Sequence, residues 1–173
     1  MRLKDKIAIV TGGGSGFGEG IVRKFVTEGA RVVVADRDQA AAERVAGAFD
    51  GKAVAAVADI SNASGFAAVV QKAHRAFGGL DILVNNAGVG HTPQPLETVT
   101  DDMFDKIASV NMKSIYYGAK AIVPHFKQQK YGVVLNVAST GGVSPRPNLT
   151  WYNASKGWVI TACLLYTSPS PRD

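Results

Sequence analysis

The sequence predicts an α/β fold, a doubly wound parallel sheet in a single domain. Three observations carry that reading: short apolar runs rich in Val and Ile recur along the chain, segments of helical periodicity separate them, and a glycine cluster follows the first run. The runs are apolar throughout instead of alternating, as strands covered on both faces require.

Ile7 to Val10 is the first strand, ending in Thr11 and the glycines, and residues 19–28 read as an amphipathic helix. Arg31 to Ala35 repeats the strand pattern and ends at Asp36, with an alanine-rich helix from Gln39 to Phe49. Ala53 to Ala58 gives a third strand, Phe66 to Phe77 a third helix, and Asp81 to Val84 a fourth strand. Thr100 is placed to cap a helix whose first turn holds Asp101 and Asp102, where carboxylates favour the positive end of the dipole. One continuous helix is expected from there to about Lys127. Gly132 then opens a fifth strand, Val133 to Val137. Strands and helices in this alternation imply right-handed crossovers.

With 173 residues, 46% apolar and 19% charged, the chain can bury a core of its own. Its net charge of +5 is spread without a basic run or interleaved aromatics, which argues against nucleic acid as a partner. Residues 1–6 lead straight into a strand and no apolar segment is long enough for a signal peptide or a span, so no membrane partner and a cytoplasmic protein are expected. Cys163 is the only cysteine, and His74, His91 and His125 lie far apart without carboxylates at ligand spacing, so no disulfide and no metal are expected.

Thr11-Gly12-Gly13-Gly14-Ser15-Gly16-Phe17-Gly18 falls where the first strand turns into the first helix. Small residues there let the backbone approach a pyrophosphate, whose charge the free amides and the helix dipole stabilise. G-x-G-x-x-G cannot be laid on it in any register, and no Lys-Ser or Lys-Thr follows as a nucleoside-triphosphate loop needs. A flexible connection is the alternative. Asp36, ending the second strand, is placed to take ribose hydroxyls and repel a 2′-phosphate; capping of the next helix by Asp36 or Asp38 is the alternative. Arg37 could bind a 2′-phosphate, but Ser15 adds no second cation, so NAD is expected ahead of NADP.

Tyr152 and Lys156 stand four residues apart, on one face of a helix, where an ammonium favours a phenolate. The spacing is also ordinary on a solvated face. In order, Thr11-Gly12-x3-Gly16-x-Gly18, Asn85-Asn86-Ala87-Gly88, Asn111, Ser139 and Tyr152-x3-Lys156 resemble the short-chain dehydrogenase/reductase family, from about Leu3 to Thr161. The resemblance implies an oxidoreductase that moves a hydride between a nicotinamide and a secondary alcohol or ketone. It implies that Tyr152 is the general acid and base, and that Lys156 lowers the tyrosine pKa and bonds the nicotinamide ribose. Ser139 would hold the substrate oxygen and Asn111 a water that links the lysine to bulk.

The cofactor would lie along Thr11, Gly12, Ser15, Gly16, Phe17 and Gly18, with Asp36 and Arg37 at the ribose and Asp59 and Ile60 at the adenine. Asn86, Ala87 and Gly88 would flank it. Each of these has a local alternative: Ser139 and residues 85–88 as turn formers, Asn111 as a solvent-facing helical residue, Asp59 as a cap before Ser61. His91, Arg146 and Trp151 are candidate pocket contacts, with loop packing as their alternative. Acyl thioesters, sugars, steroids and small alcohols all remain open as substrates, and a homo-oligomer is implied by analogy with family members that pair through these helices. A non-catalytic dinucleotide-binding module is the rival function.

Residues 163–173, Cys-Leu-Leu-Tyr-Thr-Ser-Pro-Ser-Pro-Arg-Asp, match residue for residue the translation of a transposase-type sequencing adaptor, with a short disordered tail as the alternative. The authentic domain is therefore expected to be residues 1–162, incomplete at its C-terminal end, with the helix failing after Ala162. That would leave the fifth strand as an open edge, the catalytic pocket exposed on one side, and this polypeptide aggregation-prone and nearly inactive.

Overall fold

The computed structural model describes residues 1–167, with side chains through Cys163. Five parallel strands form one sheet in the order β3-β2-β1-β4-β5: β1 Ile7–Thr11, β2 Arg31–Asp36, β3 Ala53–Val57, β4 Ile82–Asn85 and β5 Val133–Asn136. The helices are α1 Gly16–Thr27, α2 Gln39–Gly47, α3 Ala63–Phe77, α4 Asp101–Ile107, α5 Ser114–Gln129 and α6 Thr150–Thr167.

Parity along the strands explains the unbroken apolar runs. Ala8, Val10, Val32 and Val34 pack with Val22, Val26 and Val45 beneath α1 and α2, whereas Ile9, Val33 and Leu83 pack with Phe66, Val69 and Ile122 beneath α3 and α5. Strand order reverses at β1, which pairs with β2 on one side and β4 on the other. In such sheets the crevice beyond the carboxyl ends of these strands receives the ligand.

Several boundaries differ from expectation; α2 ends at Gly47 instead of Phe49, and α3 begins at Ala63 instead of Phe66. Helix α1 begins at Gly16, inside the glycine cluster, where low glycine propensity hides the start. The helix expected from Thr100 to Lys127 reaches Gln129 but is divided by a π-helical segment, Ala108–Lys113, and carries Pro124 on an exposed face where water can take the unpaired carbonyl. Helix α6 continues past Ala162 to Thr167, since neither proline nor glycine stands in that stretch; the Ser-Pro repeat lies outside the described residues.

Strand β5 is an edge, as expected, with Val133 58% and Leu135 47% exposed. Among the described residues no helix is long and apolar enough to cross a membrane.

Candidate active site

The glycine turn is held by its neighbours rather than by its own sequence. Gly12 sits at φ +62°, and a side chain on Gly18 would overlap the Gly12 carbonyl, so α1 can start this close to the turn only without a Cβ. The Gly14 peptide is held from both sides: its N–H donates to Asp36 Oδ2 at 3.0 Å and its carbonyl accepts from Arg44 Nη2 at 2.8 Å. Arg44 also bonds Glu19 Oε2 at 2.8 Å, and hydrogen bonds from Arg44 and then Arg23 hold the Glu19 carboxyl down at about 2. Asp38 caps α2, accepting from Ala41 N at 3.0 Å, so Asp36 is not the cap. Asp59 accepts from Ser61 N at 2.9 Å, and the Ser61 backbone and hydroxyl lower its pKa, but the cap of α3 is Asn62, which accepts from Gly65 N at 2.8 Å.

Thr11 is 1% exposed and ties the turn to β4. Its hydroxyl donates to Val84 O at 3.3 Å and accepts from Asn86 N at 3.0 Å and Ala87 N at 3.1 Å, while Asn86 Nδ2 donates to Thr11 O at 2.9 Å. Thr11 thus stands behind the wall of the cleft. The other residues expected along a dinucleotide, Gly12, Ser15, Gly16, Phe17, Gly18, Asp36, Arg37, Asp59, Ile60, Asn86, Ala87 and Gly88, line one cleft of about 710 Å³.

A second cavity of about 690 Å³ is lined by Ser139, Tyr152, Lys156 and His91, and it shares Phe17, Asn86, Gly88 and Val89 with the first. The two form one continuous groove over the carboxyl ends of β1, β4 and β5. Ser139 Oγ accepts from Gly141 N at 3.1 Å, which orients the hydroxyl and leaves its proton to donate. Lys156 is 5% exposed and donates from Nζ to Val137 O at 2.8 Å, and burial pushes its pKa down.

Asn111 is 1% exposed, within the π-helical segment, where Ser114 N bonds Ser109 O. Its Oδ1 accepts from Val89 N at 2.8 Å and its Nδ2 donates to Val89 O at 2.9 Å, a strand-like pair made by a side chain. It therefore does not face solvent.

Of the three candidate pocket contacts only His91 lines the cavity; it is 8% exposed, and Nδ1 lies 2.8 Å from Thr92 O, a pure acceptor, so Nδ1 carries the proton. Trp151 instead donates from Nε1 to Leu96 O at 3.0 Å and meets Phe104 edge-on, and Arg146 offers its carbonyl to Asn153 Nδ2 at 2.8 Å. Both serve loop packing. Asp105 and Lys106 of α4 and Ser109 of the π-helical segment also line the cleft and carried no signal in the sequence, because only the rotation of these helical turns about their axis brings them to it.

Residues 6–164 match the profile of the short chain dehydrogenase family, and the chain belongs to that family. It is 47% identical to 4-formylbenzenesulfonate dehydrogenase TsaC1/TsaC2 of Comamonas testosteroni, over 92% of this chain and 65% of that protein. With galactitol 2-dehydrogenase of Agrobacterium fabrum it shares 34% identity, over 94% of this chain and 63% of the relative. The chain thus spans a little under two thirds of these relatives' length. Among solved structures, 3-ketoacyl-(acyl-carrier-protein) reductase from Brucella melitensis complexed with NADH superposes with a TM-score of 0.90 at 51% identity, covering 92% of this chain and 68% of that one. NAD+-bound xylitol dehydrogenase gives 0.88 at 28% identity, covering 94% of this chain and 64% of that one.

Proposed function

We propose that the protein is a nicotinamide-dependent oxidoreductase acting on a secondary alcohol or the corresponding ketone. The observation that carries this reading is the continuous groove that joins the glycine cleft to the cavity of Ser139, Tyr152 and Lys156. The residues present fit a dinucleotide: the turn has no Cβ where α1 approaches it, and the Asp36 carboxylate is anchored at the end of β2. A bound nicotinamide would supply the hydride donor or acceptor.

The chain's own groups supply positioning and the proton. The Ser139 hydroxyl, oriented by Gly141 N, donates to the substrate oxygen. Tyr152 gives that oxygen its proton in reduction and removes it in oxidation. Lys156, with one hydrogen on Val137 O, keeps two for the cofactor ribose and the tyrosine side of the groove. Asp36 favours NAD over NADP by repelling a 2′-phosphate. Exposed Phe104 and Tyr116 on α4 and α5 support assembly through those helices. The names of two relatives favour a polyol or a 3-oxoacyl compound as substrate.

Replacing Tyr152 by Phe in the full-length protein tests the reading. Turnover should fall by about 10²-fold or more while NADH affinity, read by fluorescence, is kept. Equal turnover by the variant would leave the non-catalytic binding module as the better reading.

A further inference from the structure

Between Tyr152 and Lys156 lies a side chain that reaches neither cavity. Ser155 is 3% exposed, and its hydroxyl donates to Tyr152 O at 2.7 Å while accepting from Asn111 Nδ2 at 2.9 Å. Both directions are fixed, because a carbonyl can only accept and an amide nitrogen can only donate. Asn111 is committed in the same way: one amide hydrogen goes to Ser155, the other to Val89 O, and Oδ1 takes Val89 N. Val89 in turn lines both halves of the groove. The hydroxyl therefore joins three pieces of the site: the turn of α6 bearing Tyr152, the π-helical segment, and the loop after β4.

We propose that Ser155 is a positioning residue, setting the Tyr152 turn relative to the groove wall through Asn111; this rests on the oxidoreductase reading. It touches no reacting atom. Without the hydroxyl, Asn111 Nδ2 loses a partner inside the protein and the Tyr152 turn loses its tie to Val89, whereas the glycine turn itself, residues 12–18, loses no contact. A small misplacement of a proton donor costs turnover more than binding.

The test uses full-length protein, with kcat, KM and NADH affinity measured for wild type, Ser155→Ala, Ser155→Thr, Asn111→Ala and the Ser155→Ala/Asn111→Ala double variant. Ser155→Ala should lose about tenfold or more in kcat with NADH affinity within about twofold of wild type. Ser155→Thr, which keeps the hydroxyl, should recover most of the loss, and the double variant should be no slower than Asn111→Ala alone. Unchanged kcat in Ser155→Ala, or additive losses in the double variant, would overturn the proposal. Should Ser155→Ala not fold, the Thr variant decides: kcat close to wild type supports the role, and a loss of NADH affinity in step with kcat sinks it. Absence of turnover in wild type with any nicotinamide would remove the oxidoreductase reading and this inference together, a different result from active wild type with indifferent variants.

Discussion

Strands β1 and β5 both end in the groove, yet they are built differently. Every residue of β1 is buried, with Ile9 at 0% exposure and a paired strand on each side, whereas among the described residues β5 pairs with β4 alone and leaves Leu135 47% exposed. The cofactor half of the site thus stands on a strand fixed from four directions. The catalytic half hangs from an edge, and α6 holds it there through Lys156 on Val137 O and the turn after Ser139. Burial on both faces makes a strand stable by itself; a half-covered strand depends on the helix that crosses it.

The largest expected effect follows from that contrast. Ile9→Ala should lower unfolding free energy by about 2–5 kcal/mol, the usual cost of a cavity in a packed core. Leu135→Ala should cost less than about 1 kcal/mol, because its side chain already meets solvent. Denaturant titration of both variants checks this, and a Leu135 loss equal to that of Ile9 would break the distinction between the strands.

Two glycines sharpen it at the level of function. A methyl on Gly18 would meet the Gly12 carbonyl, while one on Gly142 would press against Lys156 C at 2.8 Å and Gly157 N at 2.9 Å, the backbone of α6. Overpacking of this kind typically costs about 1–3 kcal/mol. Gly18→Ala should mainly weaken NADH binding, by about tenfold or more. Gly142→Ala should displace the Ser139 turn and lower kcat while NADH binding stays. Calorimetric NADH binding alongside steady-state rates separates the two, and the same phenotype from both would show that the halves are not independent.

Most of the glycine cleft was legible in the sequence because it is encoded locally. Apolar runs, glycines and a strand-ending acid each stand beside the residues they act with, so Gly12, Gly18 and Asp36 were expected together, and all three line the cleft. The catalytic half is assembled over long separations. Nothing in Ala108-Ser109-Val110-Asn111-Met112-Lys113 announces a π-helical segment, so Asn111 entered the site only through the family resemblance, with a solvent-facing helical residue as the alternative, and it is the structure that buries it against Val89. Asp105 and Lys106 were missed for the related reason that helix rotation is a tertiary property. Trp151 was a candidate pocket contact with loop packing as its alternative, but successive helical residues point about 100° apart, and next to Tyr152 its indole bonds Leu96 O instead.

The smallest effect concerns the charge that the catalytic half keeps indoors. Burial holds the Lys156 pKa below that of a free lysine, so in the window between the lowered native value and about 10.4 the unfolded chain binds more protons than the native one. Stability rises with pH wherever that inequality holds, so this lysine should make the protein more stable as alkaline pH is approached from neutrality. Lys156→Met removes the group, and the difference in unfolding free energy between wild type and variant, followed from pH 7 upward, isolates its part from that of other titrating residues. The difference should move in favour of wild type as pH rises. A flat difference would mean that the Val137 carbonyl compensates the buried ammonium fully, and that the catalytic half pays no electrostatic penalty for closing over its lysine.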